Sequence, residues 1–196
     1  MIFKTTQHVT GHVKISDVKT GEVLVDKDNA INFENFSIAL AQTIANKPDT
    51  WIQEMAFGNG GATVSGTGTI TYLPPNVLGQ TAQLYNETYV KVVNDQSPLN
   101  LDPKSNYINV SHSLGTTYTD VIVTCNLGLG EPAGQSAFDT STNITDTYVF
   151  SELGLKAYSA SGPDTGILLT HVIFSPVQKS LNRQIEVVYT IRIQTV

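Results

Sequence analysis

The chain has 196 residues, a net charge of −6, one cysteine and only 14% charged side chains. That length suits a single domain over residues 1–196, able to bury a core without metal or disulfide. An acidic balance with no run of Lys or Arg argues against a nucleic-acid binder, and no stretch approaches the roughly 18 apolar residues of a membrane-spanning helix. Thr, Asn, Ser and Gly supply the polarity instead, which fits either a surface largely covered by neighbours or a β-sandwich with a Thr-rich exterior.

From the N-terminus, Val9 to Val18 reads as a strand with Val9, Val13 and Ile15 on its apolar side, and Glu22 to Asp26 as its partner. Between them, Asp17-Val18-Lys19-Thr20-Gly21 has turn chemistry, with Asp early and Gly late. Asp26-Lys27-Asp28-Asn29 is expected to break the chain. Asn32 then caps a predicted helix from Phe33 to about Ala45, whose apolar stripe is Phe33, Phe36, Leu40 and Ile44, with Ser37 and Ala41 between. Trp51 to Phe57 reads as a buried strand, and Tyr85 to Val93 as another. Tyr107 to Leu114 alternates with Ile108, Val110, His112 and Leu114 on one side. In Asp120–Leu129 the residues Val121, Val123, Cys125, Leu127 and Leu129 share one parity, and Ile185, Val187, Tyr189, Ile191 and Ile193 do so in Gln184–Gln194. This period of two means a sheet with one face in a core. Asp146 to Tyr158 has mixed parity, suggesting a bulge near Gly154. Ile167–Phe174 and Gln184–Gln194 are expected to form a closing hairpin across Ser175–Arg183. Three long irregular segments remain, about 58–70, 94–105 and 130–145. Either strands are hidden within them, or they are arms ordered by neighbouring subunits.

The residue types of catalysis do not assemble into a motif. The Gly58–Gly68 segment lacks the Gly-Lys-Ser/Thr ending of a phosphate loop and the strand–helix context of a dinucleotide fingerprint, so it reads as a tight or flexible connection. His8 and His12 lie four apart, roughly 13 Å along a strand, and His112 and His171 are isolated, so satisfied or exposed histidines are expected rather than metal ligands. Asp26, Asp28 and Asn29 fail the calcium-loop pattern at Ala30, Ile31 and Ser37. No serine sits in a nucleophile elbow, and carboxylates such as Asp139 and Asp146 have no fixed separation. Cys125, between Val123 and Leu127, reads as a small buried hydrophobe. The tyrosines near loops, Tyr72, Tyr85, Tyr89, Tyr118, Tyr148 and Tyr158, suit contact surfaces as well as strand-end packing.

A resemblance adds to this reading. Gly11-His12-Val13-Lys14-Ile15-Ser16-Asp17 with Thr20-Gly21-Glu22-Val23-Leu24-Val25, followed by Lys27-Asp28-Asn29-Ala30-Ile31, resembles the start of many virion structural proteins of tailed bacteriophages. There a Thr-Gly-Glu or Asp-Gly hairpin leads into a Lys/Arg-x-Asn-x-Ile turn and one helix. Met55-Ala56-Phe57-Gly58-Asn59-Gly60-Gly61 is similar to their strand ending in a glycine-rich loop, and His171 to Lys179 to their closing hairpin. The resemblance covers both ends, about half the chain, and leaves Asn94–Thr145 unmatched.

The expectation is therefore a mainly β protein: an antiparallel β-sandwich with one amphipathic helix, about residues 33–45, and long loops. What the resemblance implies is a non-enzymatic virion component of the tail, baseplate, neck or capsid surface; because Met1 to His8 lacks the apolar h-region of a signal peptide, synthesis in the host cytoplasm is expected. Its partners would be other virion proteins and further copies of itself. The alternative is a receptor- or carbohydrate-binding β-sandwich on a fibre. Neither catalytic residues nor a cofactor, metal, membrane or small-molecule substrate is implied. The candidate contact residues are Gly58, Asn59, Gly60, Gly61, Tyr72, Pro74, Pro75, Tyr85 and Tyr89, with the 94–105 and 130–145 segments as further contact regions.

Overall fold

A computed structural model describes residues 5–132, 147–180 and 182–196. β1 (Gln7–Asp17) and β2 (Val23–Ile31) form the expected hairpin. The Asp17 carboxylate accepts the N–H groups of Lys19 and Thr20, each at 2.9 Å, and Gly21 takes a φ of +72°, a left-handed conformation that glycine adopts without strain. The predicted break at Asp26–Asn29 is instead strand. Lys27 and Asp28 stand opposite Val13 and His12 on β1, so the backbone finds its hydrogen bonds there; the Asp26 and Asp28 side chains are exposed, the Lys27 ammonium donates to the Ile173 carbonyl at 2.8 Å, and the Asn29 amide reaches the Tyr189 hydroxyl. At Ala30 and Ile31 the same strand changes partner, to His171 and Thr170, and turns the corner between two layers.

Asn32 caps α1 (Phe33–Ile44) as expected, its Oδ1 accepting the Asn35 N–H at 3.1 Å. The inward face is only partly the predicted stripe: Phe36 packs against the core and Leu40 is half-buried, but the two ends of the stripe turn outward. Phe33 is 61% and Ile44 79% exposed, whereas Asn35 and Ala39 are buried. Two contacts set this rotation: the Asn35 amide donates to the Leu168 carbonyl at 2.8 Å, and the small Ala39 lets the helix approach Ala157 and Leu169. A buried amide needs its partner more than an exposed Phe needs cover.

The remaining strands are β3 (Ile52–Gly58), β4 (Ala62–Val64), β5 (Ile70–Tyr72), β6 (Glu87–Val92), β7 (Tyr107–His112), β8 (Tyr118–Leu127), β9 (Thr147–Ala157), β10 (Thr170–Ser180) and β11 (Ile185–Thr195). Among the described residues, nine of the eleven strands make one antiparallel sheet in the order β6-β3-β9-β10-β2-β1-β11-β8-β7. The sheet curls so that Met55, Phe57, Phe150, Leu155 and Phe174 of one half pack against Ile15, Cys125, Val187 and Tyr189 of the other. The mainly β, sandwich-like architecture with one helix among the described residues is thus the one expected. Cys125 is fully enclosed, and burial pushes its thiol up to about 12.

Three expectations change. β10 and β11 do not form a hairpin: β11 pairs along its whole length with β1, from Gln7↔Thr195 to Asp17↔Ile185, and on its other side with β8. Both of its edges are taken, and β10 lies in the opposite layer beside β9, running as strand through Ser175–Ser180 where a turn was predicted. The 58–70 segment carries β4 and runs into β5, which close a small hairpin from Ala62↔Tyr72 to Val64↔Ile70. The parity change in β9 falls at Ser151–Glu152 rather than Gly154, facing an irregularity between Ile173 and Val177 on β10. In the 94–105 segment, the buried Asn100 amide donates to the Asn94 and Asn106 carbonyls. Of the 130–145 segment, 133–145 lies outside the described residues, and with it most of that predicted contact region.

Candidate interaction site

Because β9 changes parity before Leu153, its core face carries Leu153 and Leu155, while Glu152 and Lys156 point to the opposite side. That outer side is covered by α1 and by the chain from Gly58 to Asn86. Two fully or nearly fully buried charges therefore lie on one strand face, about 13 Å apart by strand rise, and each gathers loop backbone around itself.

Glu152 is the first centre, with no solvent exposure. Its Oε1 accepts the N–H groups of Gly60 and Asn86, each at 2.8 Å. Its Oε2 accepts the Tyr85 N–H at 2.9 Å and the Nε2–H of His171 at 3.0 Å. Nδ1 of His171 accepts the Asn76 N–H at 2.9 Å, which places the ring proton on Nε2. Burial alone would raise the Glu152 carboxyl, but the His171 bond and the three backbone donors hold it below its ordinary value. One carboxylate thus ties together the loop after β3, the segment at Asn76 and the turn before β6.

The predicted contact residues fall largely on this assembly. Tyr72 and Tyr85 are 44% and 40% exposed. The Tyr72 hydroxyl lies 2.7 Å from Ser175 Oγ, with Lys27 Nζ 5.8 Å from its ring centre. The Tyr85 hydroxyl donates to the Pro74 carbonyl at 2.7 Å, and its ring lies 5.6 Å from that of His171. Asn59 accepts from the Asn86 amide. Pro74 is exposed and Pro75 half-buried. Gly58 and Gly61 are buried and offer no surface. A Cβ on Gly58 would stand 2.5 Å from the Asn86 carbonyl oxygen, on Gly60 2.7 Å from the Asn86 nitrogen, and on Gly61 2.9 Å from Ile173, so the glycines serve close packing rather than flexibility. Tyr89 lies apart, half-buried on β6 with its ring 5.9 Å from Phe57 in the core.

Lys156 is the second centre, 2% exposed. Its ammonium donates to the Asp164 carbonyl at 2.8 Å, to the Asp164 carboxylate, and to Glu87 at 3.3 Å. Glu54, also 2% exposed, accepts the Asp164 N–H at 2.9 Å. Burial and the Asp164 carboxylate push Glu87 up to about 7, while Asp164 is held low despite burial by Glu87 and Lys156. Glu152, Lys156, Glu54, Glu87 and Asp164 carry no motif in the sequence that marks them as candidates. The available signal was Glu152 and Lys156 on one parity of an otherwise uncharged strand.

Among the described residues, no group of three or more His, Cys, Asp or Glu side chains is placed to hold a metal ion, and no helix is long and apolar enough to cross a membrane. Comparisons with known protein families, with curated proteins and with solved structures return no match.

Proposed function

We propose that this chain is a non-enzymatic structural subunit of a bacteriophage virion, joining other virion proteins and further copies of itself through its loop-bearing surface. The observation that carries the reading is the Glu152 centre. A carboxylate whose four hydrogen bonds all go to protein donors has no lone pair directed at a substrate. Its chemistry is spent on fixing three loop segments in place. Loops fixed in advance lose little entropy when a neighbour docks, and they present Tyr72, Tyr85 and Pro74, groups that bury area while keeping a polar handle. The low charge of the chain supports the same reading, since few ions need desolvating at a contact.

The test is particle composition. Virions of the encoding phage, purified by gradient and examined by quantitative mass spectrometry, are expected to contain the chain in several copies, with antibody labelling at one discrete location. Recovery of the protein only from the lysate, with none in infectious particles, rejects the proposal.

A further inference from the structure

At the end of the sandwich away from Glu152, a groove of about 830 Å³ opens between the β7–β8 edge and the chain around Trp51. Its volume falls in the range of small-ligand sites, about 300–1,000 Å³. One wall is the core face of the sheet carried past the point where the opposite layer covers it: Ile108, Val110 and Val121 line it, and Val110 is 64% exposed. The other wall is aromatic. Trp51, 43% exposed, stacks on Tyr158 with ring centres 4.6 Å apart and planes within 16°.

The polar rim comes from the turn after β6, and it is held rigid. Gln53, 4% exposed, donates to Ser97 Oγ at 2.8 Å and accepts from the Asn94 amide at 3.2 Å. The Asn94 side-chain oxygen accepts the Gln96 N–H at 3.0 Å. Asp95 uses one oxygen on the Ile108 N–H, at 3.1 Å, and both it and the Gln96 side chain are exposed at the groove. Among the described residues no Lys, Arg or His lines the groove, and Asp95 is its single charge.

We infer that this groove binds a neutral oligosaccharide. A pyranose ring has an apolar C–H face and an edge of hydroxyls that both donate and accept. The Trp51–Tyr158 pair and the bare sheet face suit the first. The Gln96 amide, which donates and accepts, and the free Asp95 oxygen, which accepts, suit the second. A polyanion finds no cation here and meets the Asp95 carboxylate, so charge complementarity selects against it. The inference is independent of the virion proposal, because the groove and the Glu152 loops share no residue.

Trp51 is the only tryptophan of the chain, so its emission reports the groove without a label. The probes are hexasaccharides of α-1,4-glucose, β-1,4-glucose and β-1,4-N-acetylglucosamine, with hexagalacturonate as the anionic control. At least one neutral probe is expected to shift the emission saturably with a Kd of about 1 mM or tighter, and hexagalacturonate to leave it unchanged. Tyr158→Ala should weaken binding about tenfold and Tyr158→Phe restore it, since the ring and not the hydroxyl stacks. Gln96→Ala, at an exposed turn position, should fold normally and weaken binding about threefold; it carries the test if Tyr158→Ala fails to fold. No shift with any neutral probe up to about 10 mM, unchanged affinity in folded Gln96→Ala, or preference for the polyanion overturns the inference. So does an emission shift on simple dilution of the sugar-free protein, which would mean that a second copy occupies the groove.

Discussion

Glu152 gathers three backbone N–H groups and the His171 ring around one carboxylate. Its replacement by Ala leaves three backbone N–H groups and the His171 ring without an acceptor in a dry site, and an unsatisfied buried donor costs about 1–3 kcal/mol. Glu152→Ala should therefore destabilise by about 3 kcal/mol or more. Glu152→Gln, which keeps one acceptor oxygen, should cost less; chemical denaturation of the three proteins checks the order. Gly60→Ala should fall between them, because its Cβ must displace the Asn86 backbone. Cys125 behaves differently. Enclosed in the core with its thiol raised to about 12, it should resist a thiol reagent until the protein unfolds, and Cys125→Ala should cost about 1 kcal/mol. The cysteine was legible from its parity between Val123 and Leu127. Glu152 was legible only as a charge sharing one strand parity with Lys156, and that pattern reads the same whether the carboxylate faces water or a ring of N–H groups.

At the scale of elements, local signals located structure well and orientation poorly. The Asn32 cap and the Asp17–Gly21 turn were legible because each is written in one or two residues whose side-chain or backbone chemistry acts at short range. The helix rotation was not. Of the stripe Phe33, Phe36, Leu40, Ile44, only Phe36 packs against the core and both ends are exposed, because Asn35 and Ala39 point inward to a carbonyl of Leu168 and a flat patch at Ala157. Phe33→Ser should accordingly change stability by no more than about 0.5 kcal/mol, whereas Ala39→Leu, forced against Ala157 and Leu169, should cost about 1–3 kcal/mol. Thermal melts of the two variants decide between the observed and the expected face. The closing hairpin misled for a related reason: β10 and β11 are neighbours in sequence, but the register of β11 matches β1 over eleven residues, and pairing partners are chosen by the whole sheet.

For the molecule as a whole, the charge centres predict how stability responds to pH. Glu87, pushed up to about 7 from an ordinary 4.5, holds a proton in the fold that the unfolded chain has already released. Between those values the native state binds more protons, so this contribution is complete below pH 4.5 and is lost as pH rises through 7. Glu54, raised by burial, acts in the same sense. Glu152 and Asp120 are held low, the latter chiefly by its paired Arg192, and weaken the fold only below about their ordinary 4.5 and 3.8. The melting temperature should therefore peak near pH 5 and decline toward pH 8 by the equivalent of about 1–2 kcal/mol, after allowance for solvent at Glu87. Glu87→Gln should flatten that decline. A melting temperature that rises from pH 5 to pH 8 contradicts the assignment.

The pairing of β1 with β11 has a consequence during synthesis. β1 leaves the ribosome more than 150 residues before the strand that completes it, an interval on the order of ten seconds at elongation rates of about 5–20 residues per second. Through that interval the β1–β2 hairpin carries an open edge, the surface on which nascent chains stick to one another. The same arrangement brings Thr6 and Val196 into mutual hydrogen bonds of 2.6 and 2.9 Å. A short tether could join these two residues, so that a rearranged gene would have β11 and β1 translated back to back and close that edge at once.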